Sequence, residues 1–401
     1  MRLHILLSVL VYSAVLEANV LKSKRVTEAS CELTASSSDD APQFLAAAAS
    51  CDTVIIPAGT TLNIETRLDM TGLSNLNIDL QGTIRFNPDI DYWSGNGFPI
   101  TFQDQITFWL LGGENIVLSG GGTLDGAGQA WYDAFASNSS LLRPIILTLN
   151  EATNVLVENI QMINSPEWFN LVNECQNVTF NNITITAKST SDNFISNTDG
   201  WDIYRSDMVT IKNSVINNGD DCVSFKPNST NILVSDLNCN GSHGISVGSL
   251  GQFSGVFDIV QNVTAINIQM ANAENGARIK AFAGDDVGSG TVQNITFQNF
   301  VVSNVDSPVV IDQCYETSAD DCEEFPSNVF IQDIFFNNIS GTGSGSQVAS
   351  LDCSPGSRCT DINVNGFDLS GPGSDGKTTY ECQNVVLTGN AASLFGTCTT
   401  T

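Results

Sequence analysis

One short pattern recurs along this 401-residue chain and constrains its fold more than any other feature. "NVLVENIQM" begins at Asn154, "NVTFNNITI" at Asn177, "MVTIKNSVI" at Met208, "NILVSDLNC" at Asn231, "NVTAINIQM" at Asn262, "NITFQNFVV" at Asn294 and "NVFIQDIFF" at Asn328. Successive copies start 23, 31, 23, 31, 32 and 34 residues apart, and weaker copies begin at Asn75 and Asn115. Each copy sets apolar residues at alternate positions, bends at Asn or Asp, and runs on into a second short strand. Helical periodicity is nearly absent after residue 60, although "APQFLAAAA" reads as a short helix. Short strands repeated at this period predict an all-β solenoid, a parallel β-helix of about 8–10 coils stacked ~4.8 Å apart. It forms a single domain despite its length, because a solenoid grows without needing a second core. A β-propeller would need longer blades with their own signature, so it is disfavoured. An inert structural β-helix, such as an adhesin, stands as the non-enzymatic reading.

The remaining composition narrows the setting. Arg2 precedes an apolar run from Ile5 to Leu16, too short to span a bilayer, and Lys24-Arg25 offers a dibasic processing site. Residues 1–25 therefore read as a signal peptide with a possible short pro-segment, and 26–401 as the β-helix domain. The expectation is a secreted, extracellular, soluble monomer. The formal net charge is −28, which repels nucleic acid and anionic membrane. Any anionic partner must be met by the few cations. Export favours disulfides. Spacing among the eleven cysteines suggests Cys31–Cys51, Cys222–Cys239, Cys314–Cys322, Cys353–Cys359 and Cys382–Cys398, with Cys175 left over, although spacing alone does not determine connectivity. No CxxC occurs, which speaks against zinc. Eight glycosylation sequons stand at Asn138, Asn177, Asn182, Asn228, Asn240, Asn262, Asn294 and Asn338; in a chain this rich in Asn, Ser and Thr, several arise by chance.

Four polar clusters interrupt the apolar repeat: "NTDGWD" with Asp199, "NNGDDC" with Asp220 and Asp221, "GSHGIS" with His243, and "GARIK" with Arg278 and Lys280. Asp199 and Asp221 are 22 residues apart, as are Asp221 and His243; Arg278 follows after 35 and Tyr315 after another 37. Each gap is about one coil, so these side chains converge on one face. An isolated Asp-Asp is usually a solvated turn, and a lone histidine a surface one. Their shared phase is what points to a site. Hydrolysis of a glycosidic bond needs a carboxylic acid to protonate the leaving oxygen and a carboxylate to activate water. Crowded carboxylates keep one of their number protonated, and a nearby imidazole tunes that proton. Arg278 and Lys280 alternate along a strand with Ile279 inward, so both cations face the groove, where they can hold an anionic sugar.

"NTD", "DDC", "GSHG" and "RIK", in this order and on such coils, resemble the polygalacturonases of glycoside hydrolase family 28 over nearly the whole mature chain. The resemblance implies a right-handed parallel β-helix without metal or organic cofactor that hydrolyses pectic α-1,4-galacturonate with inversion. It implies Asp220 as proton donor, Asp199 and Asp221 as the pair activating water, and His243 as the histidine beside the donor. Arg278 and Lys280 then bind the substrate carboxylate, Tyr315 contacts substrate, and Cys222–Cys239 is a disulfide bracketing the donor's coil. Inversion ordinarily sets the two carboxyl groups roughly 6.5–9.5 Å apart. Gly219 stands in "NNGDDC" where endo-acting members carry Gln. That departure, with "SFKPNST" and "GSLGQF", resembles fungal exo-acting members, which release galacturonic acid from the non-reducing end of polygalacturonate. The aromatic-rich "NPDIDYWSGNGFPITFQDQITFW" and "GQAWYDAF" then wall off one end of the groove, or merely cap the helix. The alternatives are an endopolygalacturonase and a rhamnogalacturonan or xylogalacturonan hydrolase on the same machinery. A pectate lyase would need a calcium site and a strong base.

Overall fold

The computed structural model describes residues 29–36, 38–372 and 377–400, so the expected signal segment lies outside the described residues. The chain is a right-handed parallel β-helix. Aliphatic side chains of successive repeats stack in columns: Val155 registers with Val178, Ile232 with Val263, Val263 with Ile295, and Ile295 with Ile334. All of them are buried. The stacking explains the alternation, since every second residue of a rung enters a continuous core.

The asparagines that open most of the repeats have a different task. Asn154, Asn177, Asn231, Asn262 and Asn294 all adopt left-handed backbone, φ between 55° and 59°. Asn accepts this conformation at lower cost than most residues. Their side chains form ladders from coil to coil, for example Asn177 Nδ2 to Asn154 Oδ1 at 2.8 Å and Asn294 Nδ2 to Asn262 Oδ1 at 2.9 Å. The sequons at Asn177, Asn182, Asn240, Asn262, Asn294 and Asn338 are ladder positions whose amide nitrogen donates to the neighbouring coil. The repeat itself writes N-x-T, which accounts for much of the sequon count.

The sheet that carries the polar clusters has eleven rungs among the described residues. It begins with residues 68–70 of one long strand and 109–111 of the next, and continues through Leu147–Asn150, Asn170–Asn173, Trp201–Tyr204 and Val223–Phe225. It goes on through Ile245–Leu250, Asn275–Ala281, Ser307–Asp312, Gln347–Asp352 and Thr379–Gln383. The repeat visible in the sequence covers the middle of this stack, and rungs with weaker signatures extend it at both ends. The helix Ala41–Ser50 is the one expected at "APQFLAAAA"; it buries Phe44 edge-on against Trp109. Five disulfides join the cysteines in the pairs that spacing suggests, and Cys175 is free and buried. No described helix is long and apolar enough to cross a membrane.

The aromatic insert both caps and walls. Trp93, from the helix Ile90–Asn96, packs on Phe108, and Trp131 of the helix Gln129–Ser137 is wholly buried. Beyond Trp93 the chain makes a small separate sheet of Phe98–Ile100, Gln105–Thr107 and Pro144–Ile145. The turn within it, at Gln103 and Asp104, has φ of 54° and 52°. That left-handed turn projects Phe102 and Gln103 over the groove.

Candidate active site

Two outward rows of the eleven-rung sheet form the floor. One runs Asp202, Ser224, Ser246, Arg278 on successive rungs. On the other, Gly248 registers with Lys280 and Lys280 with Asp312. Ile279 between the two cations is fully buried in the core, so Arg278 and Lys280 both face out. The turn before each rung brings up Asp199, Asp220 with Asp221, and His243: Gly200 N donates to Asp221 O, and His243 N to Asp220 O.

Asp199, Asp220 and Asp221 each place a carboxylate oxygen within 4.8 Å of the others. This is tighter than the wide gap usual for inverting enzymes. The cause is the architecture: Asp199 and Asp221 are one rung apart, and Asp220 adjoins Asp221. Asp221 is buried; its oxygens take Lys280 Nζ at 2.8 Å and Ser246 Oγ at 2.7 Å. Burial would raise its pKa, but Lys280, Arg278 and Lys226 outweigh that and hold the carboxyl below the usual range. Asp199 goes the other way: burial, then Asp202 and Asp220, hold it well above the usual range. The two members of the expected water-activating pair are thus ionised unequally. Such opposed environments are how one site keeps an acid and a base side by side.

Asp220 has its side chain 17% exposed. Its Oδ1 accepts from Asp221 N at 2.7 Å and lies 3.1 Å from His243 Nδ1. The other imidazole nitrogen faces Glu274 Oε2 at 3.4 Å. Burial works against an imidazolium, but Asp220 and Glu274 prevail and raise the His243 pKa. Tyr315 lies under both cations, 5.2 Å from the Arg278 guanidinium carbon and 5.1 Å from Lys280 Nζ. All seven residues predicted for the site therefore come together.

Several further residues belong here that sequence reasoning did not single out. Asp202 and Lys226 form a buried ion pair at 3.2 Å. Burial lifts Asp202 to about 7 even against Lys226. Arg143, 1% exposed, donates to Pro166 O, Ser196 O and Asn197 Oδ1, and lies 3.7 Å from Glu167. Asn197 in turn approaches Asp220 Oδ2 at 3.5 Å. The available signals were Asp202 inside the quoted "NTDGWD" and Lys226 inside "SFKPNST"; nothing marked Arg143.

Asp199, Asp220, Lys226, Lys280, Trp168 and Tyr315 line a cavity of about 510 Å³. One side of it is a wall. Gln103 and Gln252 line it, Gln103 Nε2 donating to Gln252 Oε1 at 2.9 Å across 149 residues of sequence, and in the adjoining cavity Phe102 stacks on Tyr204 with ring centroids 4.0 Å apart. The Gln252 loop is anchored where Gly251 N donates to the buried Asp258 at 2.7 Å.

Residues 47–393 match the family described as glycosyl hydrolases family 28. The chain belongs to glycosyl hydrolases family 28. Within family 28 it is similar to fungal sequences over most of its length. It is 46% identical to an exopolygalacturonase of Cochliobolus carbonum, covering 86% of this chain and 81% of that one. It is 43% identical to exopolygalacturonase X-1 of Emericella nidulans, covering 86% and 83%. Among solved structures, the endo-xylogalacturonan hydrolase from Aspergillus tubingensis superposes with a TM-score of 0.84 at 37% identity, covering 93% of this chain and 99% of that one.

Proposed function

We propose that this family 28 hydrolase removes single galacturonic acid units from the non-reducing end of polygalacturonate. The observation that carries the reading is the walled cavity lined by the half-buried Asp220 and by Lys280, with the buried, ionised Asp221 behind it and a carboxylate oxygen of each aspartate within 4.8 Å of the other. The likeness to named exopolygalacturonases supports the exo mode. Asp220, reachable from the cavity, gives its proton to the leaving glycosidic oxygen. Asp221, held as the anion, takes a proton from the attacking water, which Asp199 helps to hold. His243 holds Asp220 at the same Oδ1 that accepts from Asp221 N, which leaves Oδ2 for the leaving oxygen. Lys280 and Arg278 offset the substrate's charge in a chain that otherwise repels it. Five disulfides and the fungal likeness support secretion as the setting.

The test is product analysis on polygalacturonate, with proton NMR of the first sugar released. Free galacturonic acid from the outset, appearing as the β-anomer, is the expected result. Mixed oligomers would mean endo action. An α-anomer released first would mean a retaining mechanism, which the tight carboxylate spacing would then explain.

A further inference from the structure

We propose that Lys226 is a second carboxylate-binding cation, which holds the terminal galacturonate on the side of the scissile bond away from Lys280. The inference rests on the exo reading above and adds a specificity-determining residue to it.

The placement comes from the sheet. Lys226 N donates to Ile203 O and directly follows the rung Val223–Phe225, whose Phe225 registers with Val247. Lys226 therefore occupies the same outward row as Tyr204 before it and Gly248 and Lys280 after it. Two rungs separate the ammonium groups, roughly 10 Å at the usual strand spacing. Gly248 stands between them without a side chain. Its φ of 109° and the 2.4 Å that a Cβ would leave to Lys280 O exclude any larger residue there. The row thus offers two ammonium groups with an open floor between them, and both line the one cavity.

The chemistry at each end differs. Lys280 pairs with Asp221, and Lys226 with Asp202 on the rung that follows Asp199. The carboxylate cluster is bracketed along the stack. An ammonium has three donors, and Asp202 is the one ion-pair partner of Lys226 among the described residues. Its Nζ also lies 5.3 Å from the centre of the Trp168 ring, which leaves the cavity side for a ligand. Burial opposes the charge, but Asp202, Asp199 and Asp221 raise the pKa and keep the group protonated. Arg143 lines the same cavity but is unsuited to the role, because its guanidinium already serves two backbone carbonyls and Asn197. Direction follows from the wall. Tyr204, next before Lys226 on the row, is covered by Phe102. Lys226 is therefore the cation beside the closed end, where an exo enzyme seats the terminal sugar. Consecutive galacturonates each carry one carboxylate, so an ammonium on either side of the bond reads both.

The experiment compares trigalacturonate with the same trimer methyl-esterified only at its non-reducing residue, and reports the ratio of kcat/KM values. The ratio is independent of how much enzyme is folded. Wild type should prefer the free acid by about ten- to a hundredfold, as for a hydrogen bond to a charged group. Lys226→Gln should lower the ratio to near one, whereas Lys226→Arg should largely keep it. If Lys226→Gln turns over too slowly, binding of galacturonate against its methyl ester by calorimetry supplies the same ratio. An unchanged ratio in Lys226→Gln, or equal loss on both substrates, overturns the proposal and leaves Lys226 as the structural partner of Asp202. Wild type yielding mixed oligomers would instead defeat the exo reading, whatever the ratio shows.

Discussion

Lys280→Met removes the ammonium 2.8 Å from Asp221 Oδ2 while keeping an unbranched side chain in place. The two side chains are 6% and 1% exposed, so solvent screens their attraction little. At 2.8 Å and an effective dielectric near 20, the direct attraction is about 6 kcal/mol before desolvation is counted. Deleting one member of a buried pair costs about 3–5 kcal/mol. Arg278 and Lys226 still act on Asp221, which favours the lower figure. A loss of ~3 kcal/mol corresponds to about two pKa units on that carboxyl. Asp221 is held low in the wild type, so it should titrate about two units higher in the variant. A carboxyl with a depressed folded pKa stabilises the fold above its unfolded pKa, about 3.9, and loses that contribution as pH falls through the folded value. The variant should therefore be less stable by about 3 kcal/mol at pH 6, with the deficit closing in strong acid. In the assay, kcat/KM on an oligogalacturonate is followed from pH 2 to 7 beside urea unfolding at pH 6 and pH 3. The acid limb should move up by about two units. An acid limb that stays in place in a folded, saturable variant would refute the claim that Lys280 sets the charge of the base.

Asp220→Asn keeps an oxygen to accept from Asp221 N, so the melting temperature should hold while kcat falls by roughly 10²–10⁴-fold; more than about a hundredth of wild-type activity would remove Asp220 from the donor role. His243→Asn should lower kcat and abolish a limb on the neutral side of the profile, since the raised His243 pKa means the ring loses its proton as pH climbs through that value. A kcat profile from pH 3 to 8 that superimposes on wild type would reduce His243 to a packing residue. Replacing both Gln103 and Gln252 with Ala opens the bridge across the groove, and chromatography of early digests of polygalacturonate should then show oligomers beside the monomer; monomer alone would mean that the bridge is not what closes the groove.

Much of this molecule was legible in its sequence because a solenoid converts a fixed sequence interval into spatial adjacency. Alternating β-branched residues and an Asn at each bend were enough to predict stacked coils, and the ladder from Asn154 to Asn177 is that pattern made physical. The same rule placed Asp199, Asp221 and His243, at intervals of 22 residues, on one face. What depended on distances unrelated to the coil period stayed hidden. The bridge from Gln103 to Gln252 spans 149 residues, and Arg143 reaches Asn197 from an insert with no repeat signature. The tight packing of the three carboxylates came from rung spacing rather than from the wider gap that inversion suggests. The opposite ionisation of Asp199 and Asp221 was likewise undetermined by residue type. Both are buried aspartates one coil apart, and only the three-dimensional structure shows that Lys280 stands 2.8 Å from one while the other faces fellow carboxylates. Burial and charge at a few ångströms decide a pKa, and neither is written in the order of the residues.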